Sequence, residues 1–106
     1  MTPKEIFETR IPERLKAKPE IVTKINSKYK FKINGTDSGT WIVDLTKPGG
    51  EVRQADEDAQ CTITIGDKEF VDVVSGKLNA QVAFMQGKLK VAGDMGLAMK
   101  LRDVLG

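Results

Sequence analysis

The chain has 106 residues, 40% of them apolar and 30% charged, and 17 Lys and Arg against 15 Asp and Glu leave a net charge of +2. That composition predicts one globular domain, residues 1–106, with its own core, and it gives nucleic-acid binding no support. With no histidine and a single cysteine, Cys61, a Ser-His or Cys-His nucleophile, the usual transition-metal sites and an internal disulfide are all excluded. No apolar run approaches the length of a membrane span, and the charged start "TPKEIFETR" predicts no signal peptide.

Thr2-Pro3-Lys4-Glu5 carries a helix-start pattern, with an N-cap threonine, a proline at the first helical position and a glutamate able to complete a capping box. Ile6, Phe7, Ile11 and Leu15 then share one helical face. Pro12 predicts an end or kink near Arg10 and a second piece running to about Lys18. Pro19 opens a further short helix carrying Ile21, Val22 and Ile25. The basic run Arg14, Lys16, Lys18, Lys24, Lys28, Lys30 and Lys32 has only Glu13 and Glu20 among it. It reads as a solvated face, or as a surface for transient docking on anionic membrane.

From Tyr29 the period becomes two. Tyr29, Phe31 and Ile33 alternate with Lys28, Lys30 and Lys32, and in "TWIVDLT" Trp41, Val43 and Leu45 alternate with Ile42 and Asp44. "NGTDSG" between the two runs predicts a hairpin. Glu51 to Ala55 is a weaker third strand, entered through the turn "KPGGE", which is no phosphate loop. "QCTITI" is a fourth, with Cys61, Ile63 and Ile65 inward, and Lys88 to Ala92 a fifth, with Leu89 and Val91 inward. Between them Asp67 is placed to cap "KEFVDVVS", stopped by Gly76, and Asn79 to cap "AQVAFMQ", ended by Gly87. Asp94 caps a last helix, Met95 to Leu105. The fold class is α+β: an open five-stranded, mostly antiparallel sheet covered on one face by helices.

The last helix has a surplus. On a helical wheel Gly96, Lys100 and Asp103 cluster on one side, and apolar residues sweep an arc of roughly 220° where a surface helix needs little more than about 100°. One apolar side can meet the sheet. The other is more core, a homodimer contact, or the wall of an apolar ligand cavity with Met95 and Met99 as adaptable lining and Phe84 and Met85 beside them.

"SGKLNAQVAFMQGKLKVAGDMGLAMKL" (Ser75 to Leu101), with "TWIVDL" and "CTITI", resembles the sterol carrier protein 2 family over nearly the whole chain. The resemblance implies a five-stranded sheet overlaid by helices, a lipid tunnel between the two layers, and no catalytic residues; no metal or cofactor is expected. It implies low-selectivity binding of fatty acids, fatty acyl-CoAs, sterols and phospholipids, and their transfer between membranes. Carried over position by position, the lipid-binding residues are Trp41, Phe84, Met85, Gln86, Met95, Leu97, Met99 and Leu101. Phe84, Met85 and Gln86 match the family's "AFFQG"-like run, and Gln86 is either a headgroup contact or an exposed helix end. Arg102 stands where animal members often carry glutamine. It either snorkels to solvent or places a guanidinium at the tunnel mouth for a carboxylate or phosphate.

The expectation is therefore a non-enzymatic lipid carrier, monomeric, with a closed-core interaction or dimerisation module as the alternative. An enzyme acting on acyl thioesters through lysine or carboxylates is a third class, for which no activated pair can be named. Peroxisomal members end in a Ser-Lys-Leu type signal, whereas this chain ends Val-Leu-Gly, so the expected setting is cytoplasmic and of a free-standing, prokaryotic type. A piece excised from a larger protein would look the same.

Overall fold

The computed structural model describes residues 1–105. Five strands, β1 (Lys28–Asn34), β2 (Gly39–Asp44), β3 (Glu51–Gln54), β4 (Cys61–Gly66) and β5 (Leu89–Gly93), form one sheet in the order β3-β2-β1-β4-β5. Three neighbouring pairs are antiparallel and β1–β4 is parallel. The register aligns Trp41, Phe31, Ile63 and Val91 in one row across four strands. Period-two alternation turns that row and its neighbours toward the helices.

The N-terminal helical stretch is α1 (Pro3–Glu5), a π segment (Ile6–Arg10) and α2 (Ile11–Ala17), followed by α3 (Glu20–Ile25). Thr2 Oγ1 accepts from the Glu5 amide at 3.3 Å, as the capping pattern predicts. Pro12 does not stop this stretch, but the element changes where it predicts, the π segment giving way after Arg10 to a second piece that ends at Ala17. Pro12 has no N–H, and its ring crowds the carbonyl four residues back. The chain answers by widening, with the Ile11 amide donating to the Ile6 carbonyl five residues back.

Past β4 come α4 (Asp67–Val74) and α5 (Ala80–Met85), and past β5 come α6 (Met95–Met99) and α7 (Leu101–Leu105). Asn79 and Asp94 cap α5 and α6 as expected. Asp67 does not cap α4. Gly66 is its N-cap, and the Asp67 carboxylate instead takes the amides of Lys68 and Asp37, tying the helix start to the β1–β2 turn.

The expected single helix Met95 to Leu105 is also broken, at Lys100. The Leu97 carbonyl accepts from the Lys100 amide at 3.0 Å and from the Tyr29 hydroxyl at 2.5 Å. With those two donors on one oxygen, the regular ladder is interrupted there and the chain makes a tighter turn.

Between sheet and helices the space is filled by aromatic rings. Phe7 stacks on Trp41 at 4.9 Å and on Phe70 at 5.0 Å, both nearly parallel, and Phe31 tilts against Phe7 and Phe70. Such pairs add about 0.5–1.5 kcal/mol each beyond their buried area.

The helix-free face of the sheet is not bare. Ile42 and Asp44, which alternate away from the core, are both fully buried. The connection from β3 to β4 crosses this face, and its Asp56 and Glu57 pair with Lys30, Lys28 and Arg53. Asp44 accepts from Thr46 N at 2.9 Å and from Arg53 Nη2 at 3.2 Å. Burial alone would raise the Asp44 carboxyl, but the Thr46 and Arg53 hydrogen bonds and the Lys28 charge outweigh it and hold it below the ordinary carboxylate range.

Candidate functional site

The residues expected to line a tunnel fall into two groups. Trp41, Leu97 and Leu101 are buried together in the core between sheet and helices. Phe84, Met85, Gln86, Met95, Met99 and Arg102 are exposed. The surplus on the last helical stretch is thereby resolved into two stripes. Leu97, Leu101 and Val104 recur at i, i+4 and i+7 and face the core, while Met95, Met99 and Arg102 repeat that spacing on the outside.

The inner stripe is held to the sheet by apolar packing and one polar tie, from the Tyr29 hydroxyl to the Leu97 carbonyl. Burial, with the Cys61 thiol once ionised and the Asp103 and Asp94 carboxylates adding to it, raises the Tyr29 hydroxyl above its ordinary range, so it stays a neutral donor. Burial, helped by Asp94, likewise pushes the Cys61 thiol up to about 11. Neither group is an activated nucleophile at neutral pH. Among the described residues no cluster of three Cys, Asp or Glu is grouped to hold a metal ion.

A cleft of about 150 Å³ opens between α2, α3 and α7. Ile21 and Ile25 give it an apolar floor, Arg14, Lys18 and Lys24 supply cations, and Glu20 and Asp103 complete the wall. Arg14 Nε donates to the Asp103 carbonyl at 3.0 Å, tying α2 to the C-terminal helix. Sequence reading assigned these cations to a solvated or membrane-facing run and missed the cleft. Its two linings are visible as i, i+4 pairs, Arg14 with Lys18 and Ile21 with Ile25, but their meeting is a tertiary event. The rest of the basic run lies elsewhere: Lys28 and Lys30 sit on the helix-free face, with Lys30 on Asp56 at 3.0 Å and Lys28 on Glu57 at 3.7 Å. The seven cations therefore do not form one patch. A second, wider cleft of about 400 Å³ is lined by Asp37, Asp67 and Asp72 with Lys68, a balance unsuited to an anion.

Residues 8–106 match the SCP-2 sterol transfer family. The chain is 45% identical over 89 residues to "Sterol carrier protein 2" of Rattus norvegicus, an alignment covering 80% of this chain and 16% of that protein. The chain thus spans a small part of the length of the curated relatives it matches. Among solved structures it is similar to the sterol carrier protein domain 2 of Helicoverpa armigera, with 40% identity, a TM-score of 0.76 and coverage of 90% of this chain and 79% of that one. It is also similar to Sterol Carrier Protein-2 from Aedes aegypti in complex with the C16 fatty acid palmitate, with 26% identity, a TM-score of 0.78 and coverage of 96% and 93%.

Proposed function

The chain belongs to the SCP-2 sterol transfer family, and from that premise we propose that it is a non-enzymatic lipid carrier. It takes fatty acids, fatty acyl-CoAs, sterols or phospholipids into the apolar layer between sheet and helices and transfers them between membranes. The observation that carries this reading is the helical stretch from Met95 to Leu105, apolar on its core side throughout and again on the outer side of α6, at Met95 and Met99. A helix with two apolar sides can shift against the sheet without exposing itself to water on a wholly new face.

In this reading Trp41, Leu97 and Leu101 are the inner walls that meet the acyl chain. Because the aromatic stack fills that layer, uptake requires α6 and α7 to move outward. Phe84, Met85, Gln86, Met95 and Met99 rim the opening. An acidic head group goes to the cleft of Arg14, Lys18 and Lys24, where cations stand over the apolar floor of Ile21 and Ile25. Arg102, exposed on α7, is the competing assignment.

Titration with a fluorescent long-chain fatty acid tests both parts. Saturable binding at about one ligand per chain is expected, weakened about tenfold by Arg14→Gln through loss of a charge-assisted contact. Arg102→Gln should change it by less than about twofold. Absence of saturable binding removes the carrier reading, and a loss confined to Arg102→Gln moves the head group to the other arginine.

A further inference from the structure

Five large apolar side chains stand exposed on two helices: Val82, Phe84 and Met85 on α5, and Met95 and Met99 on α6. Met85 is 83% exposed and Met99 69%. Among the described residues the only other large apolar side chain so exposed is Met1. Both helices flank the edge strand β5, and each sends a residue into the same core, Ala83 from α5 and Leu97 from α6. Their exposed ridges therefore look outward from the same layer of the molecule.

Charge is distributed unevenly in the same way. Residues 77–105 carry five cations, Lys77, Lys88, Lys90, Lys100 and Arg102, against two acids, Asp94 and Asp103, for a net +3. Residues 1–76 carry twelve cations against thirteen acids, for a net −1. Lys90 alternates with Leu89 and Val91 to the helix-free face, and Asp103 lines the cleft of Arg14, Lys18 and Lys24, which leaves Lys77, Lys88, Lys100 and Arg102 against Asp94 alone. Apolar ridges among cations that outnumber the acids are the composition of a surface that sits in the headgroup–acyl boundary of an anionic bilayer. A second copy of the chain fits less well, since a two-fold contact would set this positive segment against itself.

We propose that the α5–α6 face is a docking surface for anionic membrane, with Phe84, Met85, Met95 and Met99 entering the boundary and Lys88, Lys100 and Arg102 at the level of the phosphates. It rests on the carrier reading only for its purpose, which is to bring the α6–α7 stretch to the bilayer from which cargo comes. Docking itself needs no cargo.

The test is co-sedimentation with cargo-free vesicles, either phosphatidylcholine alone or phosphatidylcholine mixed with phosphatidylserine. Wild-type protein should bind the mixed vesicles, and binding should weaken as salt rises. The double variant Met85→Ser, Met99→Ser, at exposed positions that leave the urea midpoint in place, should bind about tenfold more weakly or worse. Lys88→Gln and Lys100→Gln should each cost about fivefold. Lys32→Gln, on the helix-free face, should change nothing. The proposal is overturned by an absence of vesicle binding, by equal binding of wild type and the serine variant, or by a loss at Lys32→Gln. A dimer in sedimentation that the serine substitutions dissolve would also overturn it and assign the face to a second copy. Fatty-acid titration without vesicles is read separately, so failure of the carrier reading and failure of the docking surface are distinguished.

Discussion

Tyr29→Phe removes one hydroxyl and keeps the ring. The ring is fully buried and lies 6.0 Å from Phe31, so phenylalanine fits the same volume. What is lost is the 2.5 Å bond to the Leu97 carbonyl, a buried neutral contact worth about 1 kcal/mol net. The carbonyl is not orphaned, because the Lys100 amide still donates to it at 3.0 Å. The global cost should therefore stay near that figure and lower the melting temperature by about 4–8 °C in a domain of this size.

The same energy, about 1 kcal/mol, also has a functional consequence. If α6 and α7 open as a unit to admit lipid, the bond acts on the closed state alone, and its loss raises the open population about fivefold. Fatty-acid association measured by stopped flow should quicken by the same factor when opening precedes binding. Amide exchange at Leu101, Val104 and Leu105 should accelerate in parallel, with strand β1 following only the global loss. A lower melting temperature with unchanged uptake and unchanged exchange in α7 would refute the gate. The bond would then be an ordinary part of the global fold.

The charge cluster on the helix-free face predicts a pH signature. The Asp44 carboxyl is held below its ordinary value of 3.8, so the stability it contributes is present above that value and is lost as pH falls through the folded value. Asp44→Asn should cost about 1–3 kcal/mol at neutral pH. The gap to wild type should close progressively below about pH 4 in urea midpoints, and a gap that stays constant into acid would sink the assignment. Gly93→Ala should be the severe glycine substitution. Gly93 has φ of +97°, and an added Cβ would run into the Gln60 carbonyl oxygen, which the Asp94 amide already holds at 2.8 Å. A loss of more than about 2 kcal/mol is expected there, against about 1 kcal/mol for Gly76→Ala, which has similar φ but open space. Equal losses would mean that backbone conformation alone sets both.

The strands were legible because local pattern decides them. Lys28 to Asn34 alternates so regularly that no other register buries Tyr29, Phe31 and Ile33 together. The parallel pairing of β1 with β4 was not legible, because it depends on the chain from Ala55 to Gln60 crossing the sheet, and nothing in those residues states a direction. The same crossing buries Ile42 and Asp44, which alternation alone leaves facing water. In the candidate site, the double apolar character of Met95 to Leu105 was visible in spacing. The break at Lys100 was not, since one of the two donors on the Leu97 carbonyl comes from Tyr29, 68 positions away. The cleft of Arg14, Lys18 and Lys24 was hidden for a similar reason: the carbonyl that ties α2 across it belongs to Asp103, at the far end of the chain.

The way the helices are attached says which part of the molecule can yield. The N-terminal stretch is anchored by Phe7, whose ring is held on two faces by Trp41 and Phe70. Moving it would break two stacked aromatic contacts at once. The C-terminal cover is different. α6 and α7 have five residues each and α5 has six, far below the roughly 12–15 residues at which an isolated helix becomes even marginally stable. α6 and α7 persist because Leu97, Leu101, Val104 and Leu105 are buried and because Tyr29 and Arg14 each hold one of their carbonyls. Those contacts are neutral hydrogen bonds and apolar packing, with one cationic donor at the cleft. An acyl chain can replace the apolar packing almost like for like, as hydrocarbon against hydrocarbon, and an anionic head group can take over the Arg14 guanidinium. The segment least able to stand alone is thus the one whose contacts a lipid can best substitute, so the carrier reading assigns uptake to α6 and α7 and not to the helices before them.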